Sequence, residues 1–110
     1  KPGAGLVIDN GEGYDRVAVL HGPGYLVAYT YTGRAFTLRM GVKPGERFLA
    51  SWYSPRDGER LFSRSVENEG EAHFDPPGEA APGNDWVLIL EQAGKGDLGQ
   101  LGNDYRQKTK

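Results

Sequence analysis

An all-β fold, an antiparallel β-sandwich of about seven or eight short strands, is predicted by three features of this 110-residue chain. Apolar and polar residues alternate at period two in several stretches, as half-buried strands require. The 17 glycines and 7 prolines fall between those stretches, at intervals of roughly ten residues. No window carries the 3.6-residue period of an amphipathic helix.

Lys1 to Gly5 reads as the end of a linker, and a chain that opens on Lys1 reads as an excised or processed piece of something longer. Leu6-Val7-Ile8 predicts a short first strand before the turn-rich Asp9 to Gly13, and Arg16 to Leu20 a second. After a turn at His21-Gly22-Pro23-Gly24, Tyr25 to Tyr31 alternates. Tyr25, Val27, Tyr29 and Tyr31 share one face, and Leu26, Ala28 and Thr30 the other. Thr32-Gly33 suits a two-residue hairpin that returns the chain as Arg34 to Met40, with Phe36, Leu38 and Met40 on one face.

Lys43-Pro44-Gly45-Glu46 predicts a turn into a strand from Arg47 to Tyr53, with Phe48, Ala50 and Trp52 facing inward. Beyond Pro55-Arg56-Asp57-Gly58, Glu59 to Val66 alternates weakly, as an edge strand does. Glu71 to Asp75 is a short strand stopped by Pro76-Pro77. Trp86 to Leu90 is apolar on both faces, which predicts a central strand. The expected organisation is a linker over 1–5, one β-domain over 6–91 and a flexible, Gly-rich polar tail over 92–110.

The balance of 13 basic and 15 acidic residues offers no dense cationic patch, so nucleic acid is not an expected partner. No apolar run approaches a membrane span, and no charged-then-apolar signal segment opens the chain, so no membrane partner is expected. With no cysteine, disulfides, thiolate metal sites and a cysteine nucleophile are excluded within it.

Five elements carry a resemblance: Tyr25 to Tyr29, Thr32-Gly33-Arg34, Trp52 to Gly58, Phe74-Asp75-Pro76-Pro77-Gly78 and Asp85 to Leu88. In this order and spacing they resemble the family labelled "putative collagen-binding domain of a collagenase", over about residues 6 to 91. Departures are Tyr31 where that family commonly has Pro, Ser54 where it has Asp, and Asp57 where it has Thr. The resemblance implies a C-terminal β-sandwich accessory domain of a secreted or periplasmic bacterial protein. The larger part of such a protein is an apiosidase-like (β/α)8 glycoside hydrolase, the implied partner. Collagen binding comes with the label, and no residue here shows it.

Tyr25, Tyr29, Tyr31 and Tyr53 are the candidate ligand-binding residues, as an exposed aromatic platform that would stack on sugar rings or proline-rich peptide. The plainer reading is a sheet face covered by the catalytic domain. Trp52, in register with Phe48 and Ala50, is expected in the core, with adjacent Tyr53 on the opposite face. Asp9, Glu12 and Asp15 are a weak calcium candidate without EF-hand spacing, so no metal and no cofactor is expected.

Gly94-Lys95-Gly96-Asp97-Leu98-Gly99 matches a dinucleotide fingerprint but lacks the following helix and βαβ unit that give it meaning. His21, expected in a turn, and His73, expected on an exposed strand, are isolated. Glu67, Glu69 and Glu71 are expected in a solvated hairpin turn rather than as an opposed acid pair. No catalytic constellation emerges, and the expected role is a non-catalytic accessory domain packing on or orienting the catalytic barrel. A carbohydrate- or collagen-binding module is the alternative.

Overall fold

The computed structural model describes residues 4–8 and 10–93. Its strands, all antiparallel, are β1 (Val7–Ile8), β2 (Ala18–Gly22), β3 (Tyr25–Thr30), β4 (Phe36–Tyr53), β5 (Arg60–Phe74) and β6 (Trp86–Ala93). Single 3-10 turns at Ala4–Leu6 and Gly13–Asp15 are the helical elements among the described residues. The sheet runs β1-β4-β6-β3-β2, with β5 on the other side of β4.

The seven or eight expected strands are six among the described residues because two expected pairs are continuous. Lys43-Pro44-Gly45-Glu46 is not a turn: β4 runs through it, with register shifts against β5 between Arg39 and Val42 and again between Val42 and Arg47. β5 likewise runs through Glu67, Glu69 and Glu71, so these acids line a strand rather than a hairpin turn. Bulges absorb extra residues and bend a strand while pairing continues on either side, so a local turn signal need not end it.

The bend is large. Phe36 and Trp52 are 16 residues apart (52 − 36) on β4, about 53 Å along a straight strand, yet their ring centroids lie 6.1 Å apart. The first half of β4 pairs with β1 and the end of β5, its second half with the start of β5 and with β6. Thus β4 and β5 carry one sheet around the core they enclose.

Thr32-Gly33 does not close a hairpin. β3 pairs with β2 and β6, and β6 stands between it and β4, so this segment crosses from one part of the sheet to another. The tight hairpin lies one turn earlier: β2 extends to Gly22, and Pro23-Gly24 alone joins it to β3 in the register Gly22 to Tyr25. His21 is therefore a half-buried strand residue and not part of the turn.

The predicted inward residues Ala50 and Trp52 lie in the core, and one face of each neighbouring alternation joins them. Leu26, Ala28, Phe36, Leu38, Ala50 and Trp52 are buried, and Phe48 and Met40 pack against them. β6 is central, paired on both sides, and contributes Trp86, Leu88 and Leu90. It reaches Ala93, two residues into the stretch expected as tail; the rest of that stretch lies outside the described residues.

Candidate functional site

Two regions draw together the residues singled out in the sequence. The first is a clamp around Asn84-Asp85-Trp86. The Tyr29 hydroxyl donates to Asp85 Oδ2 at 3.0 Å, and Arg56 Nε donates to Asp85 Oδ1 at 3.1 Å. A second Arg56 nitrogen donates to the Asp85 carbonyl at 3.1 Å, and the guanidinium lies 5.0 Å from the Trp86 ring centroid. Trp86 meets Trp52 edge-on at 6.5 Å and donates its indole N–H to Asn84 Oδ1 at 3.3 Å. Asn84 Nδ2 in turn donates to the carbonyls of Glu79 at 2.8 Å and Pro77 at 3.4 Å.

Two further contacts complete this end of the fold: Ala81 N–H donates to the Thr32 carbonyl, and Gly33 packs on the Asn84 carbonyl. The five sequence elements that carried the resemblance therefore meet in one place. Their chemistry there is hydrogen bonding and ring packing that ties β3, the β4–β5 turn and the β6 entry together.

Tyr29 has a measurable consequence. Burial, and then its bond to the Asp85 carboxylate, raise its phenol above the ordinary value of 10.0. A raised folded value means a stabilising contribution that is complete below pH 10 and fades as the pH climbs through the folded phenol's own titration. Tyr29→Phe should lose about 1 kcal/mol at neutral pH and show a smaller alkaline decline than the parent. Urea melts of both proteins at pH 8 and pH 11 test this, and parallel alkaline declines would refute it.

The second region is the outer face of the sheet from β2 through β3, β6 and β4 to β5. Leu20, Val27, Ile89, Ser51 and Phe62 lie side by side across these strands. Tyr29, Val87 and Tyr53 form the neighbouring row, and Tyr25 stands opposite Glu91 in the row beyond. The four large hydrophobic residues exposed among the described residues are Leu20 at 57%, Tyr25 at 43%, Phe62 at 37% and Tyr53 at 36%. All four stand on this face. The Tyr25 ring lies over Gly22, where a Cβ would sit 2.5 Å from it.

Charge crosses this face between β5 and β6. Arg60 Nε donates to Ser51 Oγ at 3.0 Å, and its guanidinium pairs with Glu91, so an ion pair passes over the buried Ser51. Tyr31 follows the end of β3, is half-buried, and adds slightly to the raised phenol of Tyr29. The tyrosine candidates thus divide: Tyr25 and Tyr53 present exposed surface, and Tyr29 is held by Asp85.

The other candidates are dispersed. Asp9 lies outside the described residues, as does Gly94 to Gly99. Glu12 and Asp15 are exposed, and the Asp15 carbonyl and Asn10 Oδ1 accept from Arg34 at 2.6 and 3.4 Å, so a guanidinium already engages those loop oxygens. No group of three His, Cys, Asp or Glu residues suited to a metal occurs among the described residues. His73 Nδ1 is 3.0 Å from Thr37 Oγ1 on an exposed strand position, and Glu67 pairs with Arg47 at 2.9 Å.

The clamp was missed as a unit because Arg56 and Asp85 are 29 residues apart, and no local pattern pairs them. Their flanking aromatics, Tyr53 and Trp86, were the available signal.

A family model described as "putative collagen-binding domain of a collagenase" matches residues 2–91. A solved "glycoside hydrolase" is 33% identical, with a TM-score of 0.74 over 82% of this chain and 20% of its own. A glycoside hydrolase family 5 protein from Bacteroides vulgatus is 31% identical, with a TM-score of 0.73 over 82% of this chain and 19% of its own. This chain thus spans about a fifth of each of those proteins. A search of curated proteins found no match.

Proposed function

The chain belongs to the "putative collagen-binding domain of a collagenase" family, and from that premise we infer that it is the non-catalytic accessory domain of a bacterial glycoside hydrolase. In this reading it packs on the catalytic barrel of the same polypeptide and holds it in place. The observation that carries it is the pairing of one continuous β-core with an outer sheet face on which, among the described residues, four large hydrophobic side chains are exposed. Solved glycoside hydrolases in which a closely similar fold occupies about a fifth of the chain support the kind of partner.

The chemistry of the chain supports the same division of labour. Retaining and inverting glycosidases need two carboxyl groups roughly 5 to 10 Å apart across one bond. Here Asp85 is occupied by Tyr29 and Arg56, Glu91 by Arg60 and Glu67 by Arg47. An enzyme acting on polymeric glycan would work outside the cytoplasm, which makes export part of the proposal.

The 110-residue chain should release no sugar from any aryl glycoside or polysaccharide, while the complete polypeptide does. Deleting the domain should lower the melting temperature of the remaining catalytic part. Turnover by the chain alone, abolished by a Glu or Asp substitution within it, would overturn the reading.

A binding module is the second reading, favoured by the exposed rings of Tyr25 and Tyr53. NMR titration with pectic and hemicellulosic oligosaccharides and a triple-helical collagen peptide separates the two. Saturable shifts confined to these tyrosines would make the chain a binding module.

A further inference from the structure

We propose that the outer face of β2-β3-β6-β4-β5 is the docking surface for the catalytic domain of the same polypeptide, anchored by Leu20, Tyr25, Tyr53 and Phe62. The proposal rests on the accessory-domain reading and adds to it the face and the anchoring side chains.

Strand alternation sends one set of residues to the core and the other to solvent, so the outward set on a free domain should be polar. On β3 and β6 it is not: Tyr25, Val27 and Tyr29 alternate with the core residues of β3, and Val87 and Ile89 with those of β6. These are the inner strands of this part of the sheet, and an inner strand that is apolar on both sides is built to be covered on both. The first cover is the core, and the described residues supply no second.

Dimensions agree with a domain contact. Five strands at about 4.8 Å spacing and about five residues of length give a footprint of about 20 by 15 Å, or about 600 Å² over both partners, at the lower bound for interdomain contacts. Beside β2 the face deepens into a groove of about 430 Å³, lined by Ala18, Leu20, Val27 and Tyr29 among others, which suits an apolar side chain from the partner. The Arg60–Glu91 pair supplies the polar element that interdomain surfaces carry more often than obligate ones do.

The occupant is a catalytic domain because the solved relatives place this fold within glycoside hydrolase chains some five times its length. A second copy or a glycan predicts different behaviour in the same experiment.

Hydroxyl-radical footprinting with mass spectrometry, on the complete polypeptide and on the 110-residue chain, reads the four anchors directly. Their oxidation should fall several-fold in the complete polypeptide, while exposed positions off this face, such as Pro55 and Pro82, stay unchanged. Leu20→Asp combined with Phe62→Asp should restore oxidation at Tyr25 and Tyr53 and split the calorimetric melt of the polypeptide into two transitions. The same pair in the 110-residue chain should leave its own melt nearly unchanged, which excludes simple unfolding.

Protection of another face instead would sink the assignment and leave the accessory reading standing. No protection anywhere, with the polypeptide melting as two independent units, would sink both. Concentration-dependent protection in the 110-residue chain would assign the face to a second copy, and protection appearing only with added polysaccharide would assign it to a glycan. Either result overturns the proposal.

Discussion

Gly33→Ala is expected to destabilise the domain by about 3 kcal/mol or more, an unusually large effect for adding one methyl group. Gly33 is buried with φ at +71°, a backbone conformation that costs a residue with a Cβ about 1–2 kcal/mol. Space adds the rest: a Cβ there would sit 2.4 Å from the Asn84 carbonyl oxygen and 3.0 Å from Asn84 Nδ2. A carbonyl cannot swing aside as a flexible side chain can. The backbone must move, and it leads directly into Asp85 and Trp86, so the bonds to Tyr29 and Arg56 and the packing on Trp52 are strained together.

Gly83→Ala isolates the two contributions. Gly83 has φ at +90° with nothing within 4 Å of a built Cβ, so it should show the conformational cost alone, about 1–2 kcal/mol. Urea melts of both variants followed by tryptophan emission measure the difference. Equal losses would mean that the close approach to Asn84 carries no weight.

That pair of residues also marks where the sequence was readable and where it was not. The need for glycine in Thr32-Gly33 is local and shows in the dipeptide, but its supposed use as a hairpin depends on which strand lies beside β3, and that is β6, some fifty residues on. Period two is local as well, so the shared face of Leu26, Ala28 and Thr30 and the inward set of Ala50 and Trp52 could be read directly. The exposed side of Tyr53 follows from the same alternation.

Pro44-Gly45 misled because a proline-glycine pair marks a turn or an irregular strand equally well, and only continued pairing with β5 on both sides decides between them. The apolar face was half legible. Its tyrosines stand out in the sequence, but their alignment with Leu20 and Phe62 is set by register across several strands, which turns and bulges fix. Asp85 was legible as part of the Asp85 to Leu88 element, but its partners were not, because the fold alone brings Tyr29 and Arg56 to it.

Adjacent Trp52 and Tyr53 should respond to the same substitution with losses of very different size. Trp52→Ala is expected to cost about 3–5 kcal/mol, as removal of a buried tryptophan does, which is much of the roughly 5–15 kcal/mol that holds a domain together. Trp52 is 4% exposed and stands between Phe36 at 6.1 Å and Trp86 at 6.5 Å. It is thus the ring through which the two halves of the bent β4 and the entry of β6 touch.

Tyr53→Ala removes a ring that is 36% exposed and faces away from that core, so the 110-residue chain should lose less than about 1 kcal/mol. On the docking proposal, Tyr53→Ala should have a further effect within a complete polypeptide: it should weaken the union with a catalytic domain, seen as a lower melting temperature for that domain. Chemical denaturation of the chain and calorimetry of the polypeptide make the comparison. A large loss from Tyr53→Ala in the isolated chain would place its ring in the fold's own packing and remove it from the docking face.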